Sequence, residues 1–204
     1  MSIAHVEVLV EEPSVEQALR ILLPALLEGL SFRVHPHQGK RDLIGKLPDR
    51  LRGYAKWLPT DWRILVLVDR DDDDCYELKE RLEQAAREAG LTTRTRSGGR
   101  ICQVVNRLAI EELEAWYFGD WEAVTAAYPR VPANVPRRAK FRDPDAIRGG
   151  TWEAFQRILQ RAGYFRGGLA KIEAARAVAR HWEPVRNTSA SFRLFRETLL
   201  EMVS

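Results

Sequence analysis

The pattern of apolar and polar positions along the chain alternates between two periods. Ile3–Val10 is a β-rich run in which Val6, Val8 and Val10 fall on one face. A helix is predicted next, opening at Pro13-Ser14 with Ser14 as N-cap and Gln17 three residues on. It carries Leu19, Leu22, Leu23, Leu26 and Leu27, is kinked or shortened by Pro24, and leaves at Gly29. Phe32–His35 reads as a second strand. Leu43, Ile44, Leu47, Leu51, Tyr54 and Leu58 recur at helical spacing around an internal Pro48. Ile64–Val68 is apolar throughout and ends in Asp69, so it belongs in the middle of a sheet covered on both faces. Leu78, Leu82, Ala85, Ala86 and Ala89 form one helical stripe closed by Gly90. A fourth, more polar strand is expected over Arg100–Leu108, nearer a sheet edge, and Ile110–Phe118 begins another helix.

This alternation argues for an α/β fold with a parallel sheet and right-handed crossovers, in which ligands bind at the carboxyl ends of the strands. Beyond Asp120 the texture changes. Tyr128–Pro136 holds Pro129, Pro132 and Pro136, the basic stretch Arg137–Arg142 follows, and helices are predicted over Thr151–Ala162, Leu169–His181 and Ser191–Met202, with Ser189 or Ser191 capping the last. The division expected is 1–127 as one domain and 128–204 as a basic connector with a helical extension packed on it.

Charge sharpens the division. Residues 130–204 hold 15 Lys/Arg against 7 Asp/Glu, while residues 1–129 hold 17 against 22, so an acidic front and a basic back hide inside a net charge of +3. The longest apolar run, Ile21–Leu27, has seven residues, too short to cross a bilayer, so no membrane association is expected. The first residues lack the basic start and apolar middle of a signal peptide, and Cys75 and Cys102 make no disulfide framework or zinc spacing. A cytoplasmic setting is expected.

Three predicted strand ends carry acids: Glu11-Glu12, Asp69-Arg70-Asp71 and Glu111-Glu112-Leu113-Glu114. In a parallel sheet these ends share an edge, where carboxylates from several loops can clamp one or two hard cations such as Mg²⁺. Asp69 and Asp71–Asp74 place five carboxylates in six positions. Asp72, Asp73 and Asp74 are assigned mostly to the N-terminus of the next helix. Asp69 closes a buried apolar strand where a lone carboxylate is costly, so Asp69 and Asp71 are the metal candidates. Glu11 is favoured over Glu12 as the residue facing the site, because Val6, Val8 and Val10 alternate away from it. Lys40, after the second strand, is read as a phosphate contact or a solvated loop residue. Arg137, Arg138 and Lys140 form the densest basic stretch, suited to backbone phosphate, and Lys171 is the better candidate on the penultimate helix. No G-x-x-x-x-G-K-[ST] pattern is present, so ATP hydrolysis would fall to a partner. Gly98-Gly99-Arg100 is a weak loop signal. Trp116, Trp121, Trp152 and Trp182 are read as core or interface anchors.

The acids after the first and third strands and the later Glu resemble the Toprim catalytic domain of topoisomerases, primases and nucleases of the overcoming-lysogenization-defect (OLD) type. More specifically, Val10-Glu11-Glu12-Pro13-Ser14, His37-Gln38-Gly39-Lys40, Val68-Asp69-Arg70-Asp71-Asp72-Asp73-Asp74-Cys75 and Glu112-Leu113-Glu114-Ala115-Trp116 look like the DUF4276 family of bacterial Toprim-like proteins. Lys171-Ile172-Glu173-Ala174-Ala175-Arg176 and Asn187-Thr188-Ser189-Ala190-Ser191-Phe192 extend the likeness over nearly the whole chain. The resemblance implies a Toprim-like Rossmannoid domain, a central mainly parallel four-stranded sheet and a C-terminal helical extension. It also implies a Mg²⁺- or Mn²⁺-dependent nuclease. In it, Glu11 binds metal or acts as general acid/base, Asp69 and Asp71 are ligands, and Glu112 completes the site with Glu114 beside it. An ATPase encoded nearby is the implied partner in an anti-phage defence system, and DNA is favoured over RNA as substrate. One departure is Glu12, which stands where glycine often follows the first acid. The rival expectation is a non-catalytic, metal-stabilised subunit that docks on an ATPase; a nucleotidyl-transferase or primase-like enzyme is a third.

Overall fold

The computed structural model describes residues 2–97 and 102–204. Its strands are β1 (His5–Val10), β2 (Ser31–Pro36), β3 (Trp62–Asp69) and β4 (Val104–Ala109). Its helices are α1 (Pro13–Leu26), α2 (Lys40–Ala55), α3 (Cys75–Glu88), α4 (Leu113–Gly119), α5 (Trp121–Ala127), α6 (Thr151–Arg161), α7 (Lys171–Ala179) and α8 (Ala190–Val203). The sheet runs β2-β1-β3-β4 with every pairing parallel, a Rossmann-like α/β arrangement. Among the described residues the expected alternation of strands and helices therefore holds, and β4 does lie at an edge. The loop reading at Gly98-Gly99-Arg100 and the start of the predicted fourth strand lie outside the described residues.

β3 sits inside the sheet because its side chains are apolar in both directions. Ile64, Val66 and Val68 pack with Leu9, Leu43, Leu47, Leu51, Leu78 and Leu82 beneath α2 and α3. Leu65 and Leu67 join Val6, Val8 and Val10 in the opposite layer, which runs from α1 through α4–α8 without a break. Trp116 (0 % exposed), Trp121 and Trp182 are buried there, Trp116 donating to Ser191 Oγ at 2.9 Å and so tying α4 to α8. Trp152 is half-buried instead, beneath Lys171.

Strand order reverses direction between β1 and β3: one crossover leaves β1 for β2, the next returns past β1 to β3. With right-handed crossovers this puts α1 on one face and α2 and α3 on the other, and opens a crevice at the carboxyl ends of β1 and β3.

Some caps differ from those expected. Glu12, not Ser14, holds the N-cap position of α1; Pro13 takes the first helical position, where no amide is needed, and Ser14 Oγ donates to Glu12 Oε1 at 2.5 Å. Of the three acids assigned to the start of α3, only Asp74 caps it, accepting from Tyr76 and Glu77 amides. Asp73 turns to Lys40 instead. Ser189 caps α8 through Phe192 N–H, reinforced by Asp145, which accepts from the Ala190 and Ser191 amides.

Candidate functional site

The crevice at the strand-order reversal is acidic. β1 ends one residue before Glu11, and β3 ends in Asp69. The two meet: the Asp69 amide donates to Glu11 Oε1 at 2.8 Å, and both side chains are buried, at 6 % and 8 % exposure. Burial pushes the Glu11 carboxyl up to about 7, with Asp71 adding to the effect and the Asp69 hydrogen bonds and Lys40 offsetting part of it. Burial also pushes Asp69 well above the carboxylate range, helped by Glu11, Glu114 and Asp71. Glu114, in the first turn of α4, is 2 % exposed. Burial raises it to about 7, although Lys171 pulls the other way.

Pairing between β3 and β4 continues past the strand ends, where Arg70 N–H donates to the Ala109 carbonyl (2.9 Å) and Asp71 N–H to that of Glu111 (2.8 Å). This continuation holds Asp71 at φ 48°, a left-handed conformation that costs a non-glycine residue about 1 kcal/mol and clusters at functional sites. Asp71 is exposed, and its carboxylate lies 2.6 Å from Lys40 Nζ, which also reaches Asp73 at 2.7 Å and the Arg70 carbonyl at 2.9 Å. Lys40 opens α2 after Gly39, whose φ of +93° demands glycine. Lys171 opens α7, with Nζ 3.6 Å from Glu12 and 5.2 Å above the Trp152 ring. Burial lowers the Lys171 ammonium pKa, but Glu114, Glu12, Glu112 and Asp69 outweigh that and raise it.

Glu112 has a different task. Its Oε2 accepts from Thr151 N–H (3.0 Å), Thr151 Oγ1 (2.6 Å) and Trp152 N–H (2.9 Å), so it caps α6 from another part of the chain. Two clefts flank Asp71 and Asp72. One, of about 840 Å³, is lined by Arg70, Glu111, Glu112, Arg148 and Glu153; the other, of about 680 Å³, by Lys40, Arg41, Asp73 and Arg81. Arg137, Arg138 and Lys140 line neither and are exposed on short 3₁₀ turns; Arg137 borders a separate hollow with Asp120, Trp121 and Arg186. Sequence reasoning missed Arg148, although two successive glycines just before a predicted helix, Gly149 and Gly150, marked a backbone built to approach something closely.

A model of a domain of unknown function, DUF4276, matches residues 10–200, almost the whole chain. The chain belongs to the DUF4276 family. No curated protein and no solved structure matches it. In this family member the matched span opens one residue before Glu11 and includes every acid of the crevice. The all-oxygen donor set suits a hard divalent cation, and the repulsion that Glu11, Glu114 and Asp71 exert on Asp69 is the kind a cation relieves. Among the described residues no three His, Cys, Asp or Glu side chains are already gathered as a metal cage. Glu11 and Asp69 would therefore form the nucleus of such a site, with Asp71 on its exposed rim and Glu112 reaching it only on leaving α6.

Proposed function

We propose that this chain is a Toprim-type, Mg²⁺- or Mn²⁺-dependent phosphodiesterase that cleaves nucleic acid, DNA in preference to RNA. In this reading it serves an anti-phage defence system in the bacterial cytoplasm with a partner ATPase. The observation that carries the reading is the meeting of Glu11 and Asp69 where the strand order reverses, both buried and both with their carboxyl pKa raised by that burial. A bound cation would supply Lewis acidity and an activated water. The chain's own residues do the rest. Lys40 and Lys171 bring positive charge to the acidic edge, and Arg70 and Arg148 line the adjoining cleft, positions suited to backbone phosphates. Glu11, titrating near neutrality in the metal-free state, is placed to hold or release a proton.

The test incubates purified protein with plasmid DNA and Mg²⁺ or Mn²⁺, alone and with the ATPase encoded beside it. Cleavage by the wild type that is lost in Asp69→Ala supports the reading. Identical behaviour of the two proteins in both settings sinks it.

One observation favours a second reading, a non-catalytic subunit whose acids bind metal to hold the fold and whose basic region docks on the ATPase: the Glu112 carboxylate is already committed to α6. Melting curves with Mg²⁺ and with EDTA, on wild type and Asp71→Asn, separate the two. A large metal shift without any cleavage selects the second.

A further inference from the structure

A polar cluster lies between β2 and α2, beside the acidic crevice but outside it. Arg50 of α2 spans two imidazoles, with NH2 3.2 Å from His35 Nδ1 and NH1 3.1 Å from His37 Nε2. A guanidinium only donates hydrogen bonds. Both of those ring nitrogens must therefore be unprotonated acceptors, and the protons must sit on the opposite nitrogens. His35 Nε2–H then points at Glu7 Oε2, with which it makes close contact, and His37 Nδ1–H donates to the Val10 carbonyl at 2.9 Å. Two histidines two residues apart are thus held neutral in opposite tautomers by one arginine.

The position of His37 gives this bridge its consequence. Its backbone N–H donates to the same Val10 carbonyl at 3.0 Å, and Val10 immediately precedes Glu11. Two residues later the Gly39 amide donates to the Glu11 carbonyl at 2.7 Å, and the next residue is Lys40, which reaches Asp71 and Asp73. His37, at 4 % exposure, fastens the β2–α2 loop to the backbone that carries Glu11.

We propose that Arg50 and His37 are positioning residues that hold Glu11 and Lys40 in register, and that a proton on His37 opens the bridge and loosens this loop. The link to cleavage rests on the phosphodiesterase reading; the bridge itself does not. A proton on Nε2 would set an N–H against Arg50 NH1 and place two cations at hydrogen-bond distance. The groups facing His37 are Arg50, Asp42 and Lys46 of α2 and the Val10 carbonyl of β1. Those facing His35 are Arg50 and Glu7, and Glu7 also holds Tyr54 and His5. Glu7 would accommodate a charged His35, whereas nothing so close does this for His37. Burial lowers the His37 pKa, Arg50 and Lys46 lower it further, and the Val10 hydrogen bond and Asp42 do not make up the difference. The bridge is therefore closed at neutral pH and opens below the ordinary imidazole range.

Long-range ¹H–¹⁵N imidazole spectra of the wild-type chain at pH 7.5 test the bridge directly. The expected result is His35 protonated at Nε2 and His37 at Nδ1, both neutral; the reverse assignment, or an imidazolium on either, overturns it. The consequence is read from hydrogen exchange of the Gly39 amide between pH 7.5 and 5. Protection should fall with pH in the wild type and stay level in His37→Asn, whose side-chain amide keeps the donor to Val10 without titrating. An equal fall in both overturns the switch. Mn²⁺ affinity should drop about 10-fold in His37→Ala, the scale of a lost supporting contact, and be rescued in His37→Asn; unchanged affinity in His37→Ala overturns the positioning role. If Mn²⁺ binds and the tautomers are as stated but no nucleic acid is cut, the phosphodiesterase reading falls and the bridge stands.

Discussion

The fold buries carboxylates in two contrasting ways. Glu7, Glu83 and Asp120 are 5 %, 2 % and 1 % exposed, and each has donors on at least one carboxylate oxygen. Glu7 accepts from Tyr54 (2.9 Å) and touches His35; Glu83 accepts from Asn106 at 2.9 Å and pairs with Lys79 at 3.1 Å. Asp120 takes the Arg186 guanidinium, at 2.7 Å from Nε, and the Glu183 amide. Burial pushes the first two upward, but the donors around them, His35 and Tyr54 for Glu7 and Asn106 and Lys79 among those for Glu83, prevail and lower both. Glu11, Asp69 and Glu114 are equally buried, yet there burial prevails and all three are raised. For Glu7 and Glu83 the chain supplies donors that outweigh burial. At the strand-order reversal it does not, the kind of local violation that marks function.

The largest test of this contrast is Asp69→Asn. Cleavage should fall by about 10²–10³-fold, the scale of one lost electrostatic contact to a reacting group, while the melting temperature of the metal-free protein holds or rises. A clear loss of stability would place Asp69 with the structural carboxylates. Asp120→Ala should behave oppositely. It should cost about 2–4 kcal/mol in urea unfolding, because it removes the buried carboxylate that accepts from the Glu183 amide and from Nε and NH2 of Arg186.

The two classes also have opposite pH signatures. Glu114 titrates at about 7 in the fold against 4.5 ordinarily, so the folded state holds its proton more tightly, and stability falls as pH rises from about 4.5 to about 7. Glu114→Gln should abolish that part of the fall, at most about 3 kcal/mol. Mn²⁺ should raise the melting temperature more at pH 8 than at pH 5. Glu7 is depressed instead, so its contribution is present above the ordinary carboxylate value and fades as pH drops through the lowered one; Glu7→Gln should be most destabilising near neutrality. The smallest expected effect is at the basic turns. Arg137→Ala should change stability by less than about 0.5 kcal/mol and leave cleavage intact. Arg148→Ala, in the cleft, should weaken DNA binding and lower its salt slope by about 1. Equal effects would return the basic stretch to the site.

Much of this was legible along the chain because it depends on local periodicity. The two-faced apolar run Ile64–Val68 implied an interior strand, and the Val6, Val8, Val10 alternation implied that Glu11 rather than Glu12 turns inward; the buried Glu11 and half-buried Glu12 agree. Charge density was a poorer guide. It pointed to Arg137, Arg138 and Lys140, but a basic cluster is recognised by its neighbours in sequence and a site by its neighbours in space. Arg148 and the α6 start, isolated in sequence, line the cleft instead.

The sequence by itself determined the order of elements, the parallel sheet and the identity of the acids at its carboxyl edge, since apolar period, strand ends and crossover handedness are properties of adjacent residues. Only the tertiary structure decided how those acids divide. Glu11 and Asp69 meet because β1 and β3 are neighbours at the reversal of strand order, and Glu112 is drawn off because α6, almost forty residues later, points its unsatisfied amides at it. Whether a carboxylate keeps its charge depends on which donors the fold brings within about 3 Å, and that distance is not written in the order of residues.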